Sequence, residues 1–225
     1  VGIWSHLDCA RIQPVEQMDI RGDVEGRLQF SAYDSGVSEL AWICESSLIQ
    51  CELWESVKRQ ANVQLICPAR PVELSIDADM AMLRLDDGRE FTAGLVVGAD
   101  GADSWVRNRA GITAAQRPYD QLGVVANFES EKAHDNTAFQ WFRGQDVLAW
   151  LPLPGKCFSM VWSTSTEFGR ELVQCDADEF AQRVEQAGHS RLGSLKRLAP
   201  PSAFPLRLMR AQRSVQARLA LIGDA

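Results

Sequence analysis

The chain has no apolar run near the roughly 20 residues a helix needs to cross a bilayer, so no segment reads as transmembrane. It has no basic cluster. Lys and Arg number 23 against 30 Asp and Glu, a net charge of −7. That balance argues against a nucleic-acid partner, while leaving apolar contact with a membrane substrate open. The six cysteines (Cys9, Cys44, Cys51, Cys67, Cys157 and Cys175) include no C-x-x-C pair, and the three histidines (His6, His134 and His189) are scattered. A disulfide framework and a zinc site are both disfavoured. The cysteines are expected to be reduced and mostly buried. No signal-peptide pattern is present, and cytoplasmic localisation is the expectation. There is no internal repeat and no low-complexity tract.

What is there is a globular composition, 46% hydrophobic over 225 residues. That suits one large domain or two interleaved ones. The most informative stretch runs from Leu95 to Arg107: Leu-Val-Val-Gly-Ala-Asp-Gly-Ala-Asp-Ser-Trp-Val-Arg. It reads as a strand covered on both faces, a glycine turn and a helix start. Gly98 and Gly101 bracket the turn. Asp103 or Ser104 caps the helix. Trp105 and Val106 should pack inward, leaving Arg107 on a polar face. This geometry presents backbone amides and a carboxylate to a nucleotide. Arg107 there suits phosphates, or is simply a solvated helix charge. The chain's last residues, Arg218 to Ala225, form a second apolar strand running into Gly223-Asp224-Ala225.

As a pair, these segments resemble the flavoprotein aromatic hydroxylases, in which a D-G-x-x-S-x-V-R segment and a later G-D-A segment both contact FAD. A third match narrows the resemblance. Glu131-Lys132-Ala133-His134 leads into Ala138-Phe139-Gln140-Trp141-Phe142, then Leu151-Pro152-Leu153 and Ser159-Met160-Val161-Trp162. Trp42 to Gln50 and Ala203 to Leu206 also fit. The pattern is similar to the ubiquinone-biosynthesis hydroxylase branch. Trp141 stands where relatives often have Arg. The G-x-G-x-x-G turn that opens such enzymes is missing, as is the glycine-rich segment after G-D-A. The expectation is therefore a central fragment of a larger enzyme, incomplete at both ends and a poor FAD binder alone.

The implied fold class is α/β: a partial, Rossmann-like FAD-binding domain interleaved with a mostly antiparallel β-sheet substrate domain. The expected boundaries are 37–112 with 210–225 for the first, and 10–36 with 113–209 for the second. Strands are expected over Val15–Arg21, Gly26–Tyr33, Leu40–Cys44, Val63–Cys67, Val72–Ile76 and Met80–Leu85, with an Asp-Gly hairpin turn at 86–89. Further strands are expected at Leu122–Glu129, Thr137–Phe142, Val147–Leu153, Phe158–Ser163 and Ala203–Leu208. Ser46 or Ser47 should cap a helix to about Gln60, and Asp176 or Asp178 a helix ending at Gly188.

The resemblance implies hydroxylation of a polyprenylated phenol or quinol by FAD, NAD(P)H and O2. The cofactor carries the organic chemistry, so few acid–base residues are needed. The implied cofactor-binding residues are Asp100, Gly101, Ser104, Arg107, Gly223, Asp224 and Gln50, with Asp224 accepting from a ribitol hydroxyl. Against these stand a strand-end Asp for Asp224 and a turn-stabilising Asp for Asp100. No catalytic side chain is assigned. His134 is read as structural. Phe139, Trp141, Phe142 and Trp150 read as sheet core before substrate pocket. Peripheral contact at the inner membrane and a complex of quinone-biosynthesis enzymes are both compatible. Two other readings stay open: another flavin oxidoreductase, such as a prenyl reductase, or a non-catalytic fragment that docks other quinone enzymes.

Overall fold

The computed structural model describes residues 2–225. The single strand expected over Val15–Arg21 is two, β1 (Ile12–Val15) and β2 (Gln17–Arg21). They part at Glu16, where the amides of Glu16 and Gln17 both donate to Asn136 O. β1 pairs antiparallel with β4 (Ala41–Cys44), while β2 pairs with β3 (Arg27–Ser31). A short helix α1 (Ala32–Ser35) lies between β3 and β4, and helix α2 (Ser46–Lys58) follows. Neither Ser46 nor Ser47 caps α2. Glu45 holds the N-cap without a side-chain bond to the helix, because its carboxylate is drawn to Arg11 at 2.6 Å.

The next segment carries β5 (Pro71–Ile76), β6 (Ala81–Leu85) and β7 (Glu90–Ala93), an antiparallel three-stranded flap with Gly88 at φ 88° in the expected turn. β8 (Val96–Gly98) and α3 (Trp105–Arg109) follow. No strand forms over Val63–Cys67, where the backbone has no ladder partner among the described residues.

Four long strands come next: β9 (Ala114–Ser130), β10 (Thr137–Arg143), β11 (Asp146–Pro152) and β12 (Cys157–Ser165). Then come α4 (Thr166–Gln174), α5 (Ala177–Ala187), β13 (Leu195–Arg197), β14 (Ser202–Ala211), β15 (Val215–Gln216) and β16 (Leu219–Leu221). The large sheet runs β13-β9-β12-β11-β10-β2-β3, with β14 also on β9. It is antiparallel except where β10 meets β2. Asp176 caps α5, accepting from the amides of Asp178 and Glu179. α4 was not expected. Ser165 caps it through the Phe168 amide at 3.2 Å, and Gly169 inside it hides the helical pattern.

The structure divides into two discontinuous units, residues 2–63 with Asp120–Leu206, and Gln64–Tyr119 with Arg207–Ala225. Residues 37–63, expected with 64–112, group with the large sheet. The cause is local. β4 is bonded to β1, and Leu48 of α2 packs on Leu7 and Ile12.

Period-two alternation builds the core of the first unit. Phe128, Phe139, Trp141, Leu148, Trp150, Phe158, Met160 and Trp162 all point to one face and pack against Leu172 of α4 and Phe180 and Val184 of α5. Trp141 and Trp150 meet edge to face at 4.9 Å, and Trp150 lies 4.6 Å from Phe158. Phe139, Trp141 and Trp150 are thus core. Phe142 is exposed. His134 is buried and braces a turn: its Nε2 lies 2.8 Å from Leu153 O, and its Nδ1 accepts from the Asn136 amide. Asp19 is buried at the margin of this core. Burial pushes its carboxyl up, but the fork of Arg27 at 2.9 and 3.1 Å, helped by Arg21, holds it below the ordinary range.

The cysteines depart from expectation. All six are free, but none is buried, and Cys9, Cys51 and Cys67 are exposed. Among the described residues, no helix is long and apolar enough to cross a membrane.

Gly188 ends α5 directly over the Trp150 ring, where a Cβ would overlap the indole. Gly188→Ala should cost about 1–3 kcal/mol, the range for overpacking a filled core. Thermal unfolding followed by tryptophan fluorescence measures this, and an unchanged midpoint would contradict the packing described.

Candidate functional site

The second unit is built on two short strands from opposite ends of its sequence. β16 pairs parallel with β8 in the register Leu219↔Val96, Ala220↔Val97, Leu221↔Gly98. The Ile222 amide donates to Gly98 O at 2.9 Å. Parallel strands in register end together, so the turns at 99–104 and 222–225 leave the sheet at one edge. Gly98 is required by packing and not by its backbone angles. A Cβ there would lie 2.9 Å from Leu221 Cδ2 and 3.0 Å from Val106 Cβ. Beneath the pair lie Val106, Ile112, Leu219 and Leu221, with Leu74 and Ile76 of the flap. Cover on both faces of β8 was expected; among the described residues α3 packs on one side, and Leu95 and Val97 are exposed.

The first turn is braced from within. Asp100 accepts from Ser104 Oγ at 2.5 Å and from the Val106 amide at 3.1 Å. Ser104 is the N-cap of α3, accepting from the Arg107 amide at 2.9 Å. Burial raises the Asp100 carboxyl pKa, but these donors outweigh it and leave the group below the ordinary range. Arg107 is not on a solvated face. It is 4% exposed, with Nη2 donating to Ala102 O at 2.9 Å and Nη1 buried without an acceptor. The short turn folds the side chain back over its own backbone.

Asp224 lines a cavity of about 710 Å³ with Gly223, Ala225, Ala102 and the segment Arg207–Ser214. Asp100 borders a different cavity of about 510 Å³, with Arg70, Asp86, Trp105 and Arg109. The two strand ends therefore converge, but Asp100 and Asp224 line separate hollows. The first turn reaches the Asp224 cavity through Ala102. Gln50 lies in the other unit, exposed on α2 beside Ile49, Leu53 and Trp54. Six of the seven expected residues thus share one unit.

Residues 73–225 match the family model described as an FAD binding domain. The chain belongs to that family. It is 32% identical over 227 residues to a ubiquinone hydroxylase of Rhodospirillum rubrum, covering all of this chain and 52% of the relative. It is 30% identical over 225 residues to the 3-demethoxyubiquinol 3-hydroxylase of Escherichia coli, covering all of this chain and 57% of the relative. A probable FAD-dependent monooxygenase from Pseudomonas aeruginosa shares the fold, with a TM-score of 0.81 at 22% identity over 99% of this chain and 64% of that one. The chain spans about half the length of the curated relatives it matches.

The residues present fit part of an FAD-binding surface. Gly101 (φ 81°) and Gly223 (φ 65°) hold backbone angles that favour glycine, and a Cβ at either would meet nothing within 4 Å. The backbone of both turns is thus open to a ligand at the sheet edge. Asp224 offers an acceptor for a sugar hydroxyl beside them. Arg207, Arg210 and Arg213 were not among the expected residues. Their regular spacing of three, just before β16, is the signal that marks them.

Asp100 should set an acid limit on this turn. Its folded pKa is lowered, so its contribution to stability is full above the unfolded carboxylate pKa and is lost as pH falls through the folded value. Asp100→Asn should therefore cost about 1–3 kcal/mol at pH 7, and the gap to wild type should close toward pH 2. Urea unfolding at several pH values measures this; a gap independent of pH would contradict it.

Proposed function

We propose that the full-length gene product is an FAD-dependent monooxygenase that hydroxylates the aromatic ring of a polyprenylated ubiquinone precursor, with NAD(P)H and O2. The observation that carries this reading is the parallel pairing of β8 with β16, which brings Gly101 and Gly223-Asp224 to one edge in a chain of the FAD-binding domain family. The relatives named as ubiquinone-biosynthesis hydroxylases support the substrate class.

Asp224 accepts from a ribitol hydroxyl, and the backbone of Gly101 and Gly223 lies against the cofactor. Asp100 and Ser104 act indirectly, by fixing the turn and the start of α3. Arg107 does the same through Ala102 O. When bound, FAD supplies the redox and oxygen-transfer chemistry. The protein must then place an apolar ring and keep water away.

The large sheet offers a surface for this. Opposite its helix-covered face, Leu28, Ile20, Gln140, Ala149, Val161 and Val125 stand in register across six strands. This row is half-buried to exposed and almost wholly apolar. It suits an aromatic head group with a hydrocarbon tail. Such a substrate partitions into lipid, so the enzyme works at the inner-membrane surface, alongside other quinone-biosynthesis enzymes.

In the full-length protein, Asp224→Ala should weaken FAD retention about tenfold, the size of one lost hydrogen bond to a buried ligand. Flavin absorbance per chain after gel filtration measures it, and the product made under 18O2 should carry label. Undiminished flavin in a folded variant, or unlabelled product, would overturn the assignment.

A further inference from the structure

Arg207, Arg210 and Arg213 succeed one another along the end of β14 and the turn beyond it, and all three line the cavity that Asp224 lines. The protein is acidic as a whole, yet this hollow concentrates cations. Arg207 is already engaged, donating to Asp103 Oδ1 at 3.0 Å. Arg210 and Arg213 are exposed and form no ion pair or side-chain hydrogen bond among the described residues. Two unpaired guanidinium groups on one concave wall attract an anion, and their planar forks match phosphate oxygens best. Asp224 on the same cavity repels phosphate but accepts from a hydroxyl. A ligand that satisfies both features carries a phosphate and a polyol joined together.

We infer that Arg210 and Arg213 bind the pyrophosphate of a dinucleotide whose sugar hydroxyl meets Asp224. This rests on the proposed function, in which two molecules carry that group: FAD itself and the reduced nicotinamide cofactor. The cavity, of about 710 Å³, has room for the diphosphate and its flanking sugars.

The test uses the full-length flavoprotein with Arg210→Gln/Arg213→Gln. Arg210→Lys/Arg213→Lys keeps the charge without the fork. Arg170→Gln/Lys196→Gln removes two exposed charges elsewhere. Two quantities are read: flavin retained per chain, and the dissociation constants of NADPH and NADH by fluorescence titration, with inorganic pyrophosphate as competitor. The glutamine pair should weaken one dinucleotide at least tenfold, the lysine pair less, and the remote pair by under twofold. Weaker nicotinamide binding with flavin retained identifies the reductant as the occupant. Loss of flavin identifies FAD. Unchanged binding of both, or equal loss in the remote pair, overturns the inference. A wild-type protein that binds neither dinucleotide removes the proposed function, and this inference with it. An unchanged glutamine pair beside a competent wild type removes the inference alone.

Discussion

The second unit depends on a missing side chain. With only hydrogen at Gly98, Leu221 and Val106 close onto the strand from two directions, and β16 can lie flat against β8. Any larger residue would push apart the pair whose ends carry the candidate site. Everything chemical that follows, the two open glycine turns and the carboxylate at 224, inherits its position from that contact. The Asp100–Ser104–Arg107 brace adds rigidity, since each polar atom it uses is satisfied within a few residues of chain, save Arg107 Nη1.

The first unit solves a different problem. Its large sheet buries aromatic rings on one face against two helices and carries on the other a row of mostly apolar side chains across six strands. The packed face is held by apolar contacts, because Trp141, Trp150 and Trp162 find no acceptor for their indole N–H groups among the described residues. Gly188 is the closest fit in that layer. Close packing of this kind makes the layer stiff.

Much of this was legible in the sequence where the signal is local. The alternating strands β10 to β12, the Asp176 cap and the turn at Gly88 follow from period and turn chemistry, and the structure has them. The strand–turn–helix at 95–107 was legible for the same reason. What failed depends on neighbours. Val63–Cys67 has strand-forming residues but no partner. Glu45 stands at the N-cap in place of the serines, and its carboxylate makes no cap bond because it pairs with Arg11, distant in sequence. Arg107 is buried because the turn is too short to let it out. That Asp100 and Asp224 line different hollows is set by how the two turns pack, which no spacing rule supplies.

The register of β8 on β16 joins positions more than a hundred residues apart, with the whole of β9 to β14 between them. Contacts of such separation form slowly, since a long stretch of chain must be ordered or bypassed first. During synthesis on the ribosome, β8 and its turn emerge well before β16. Their pairing waits for the release of Leu219–Leu221, so it reports on the folding of the long stretch made between them.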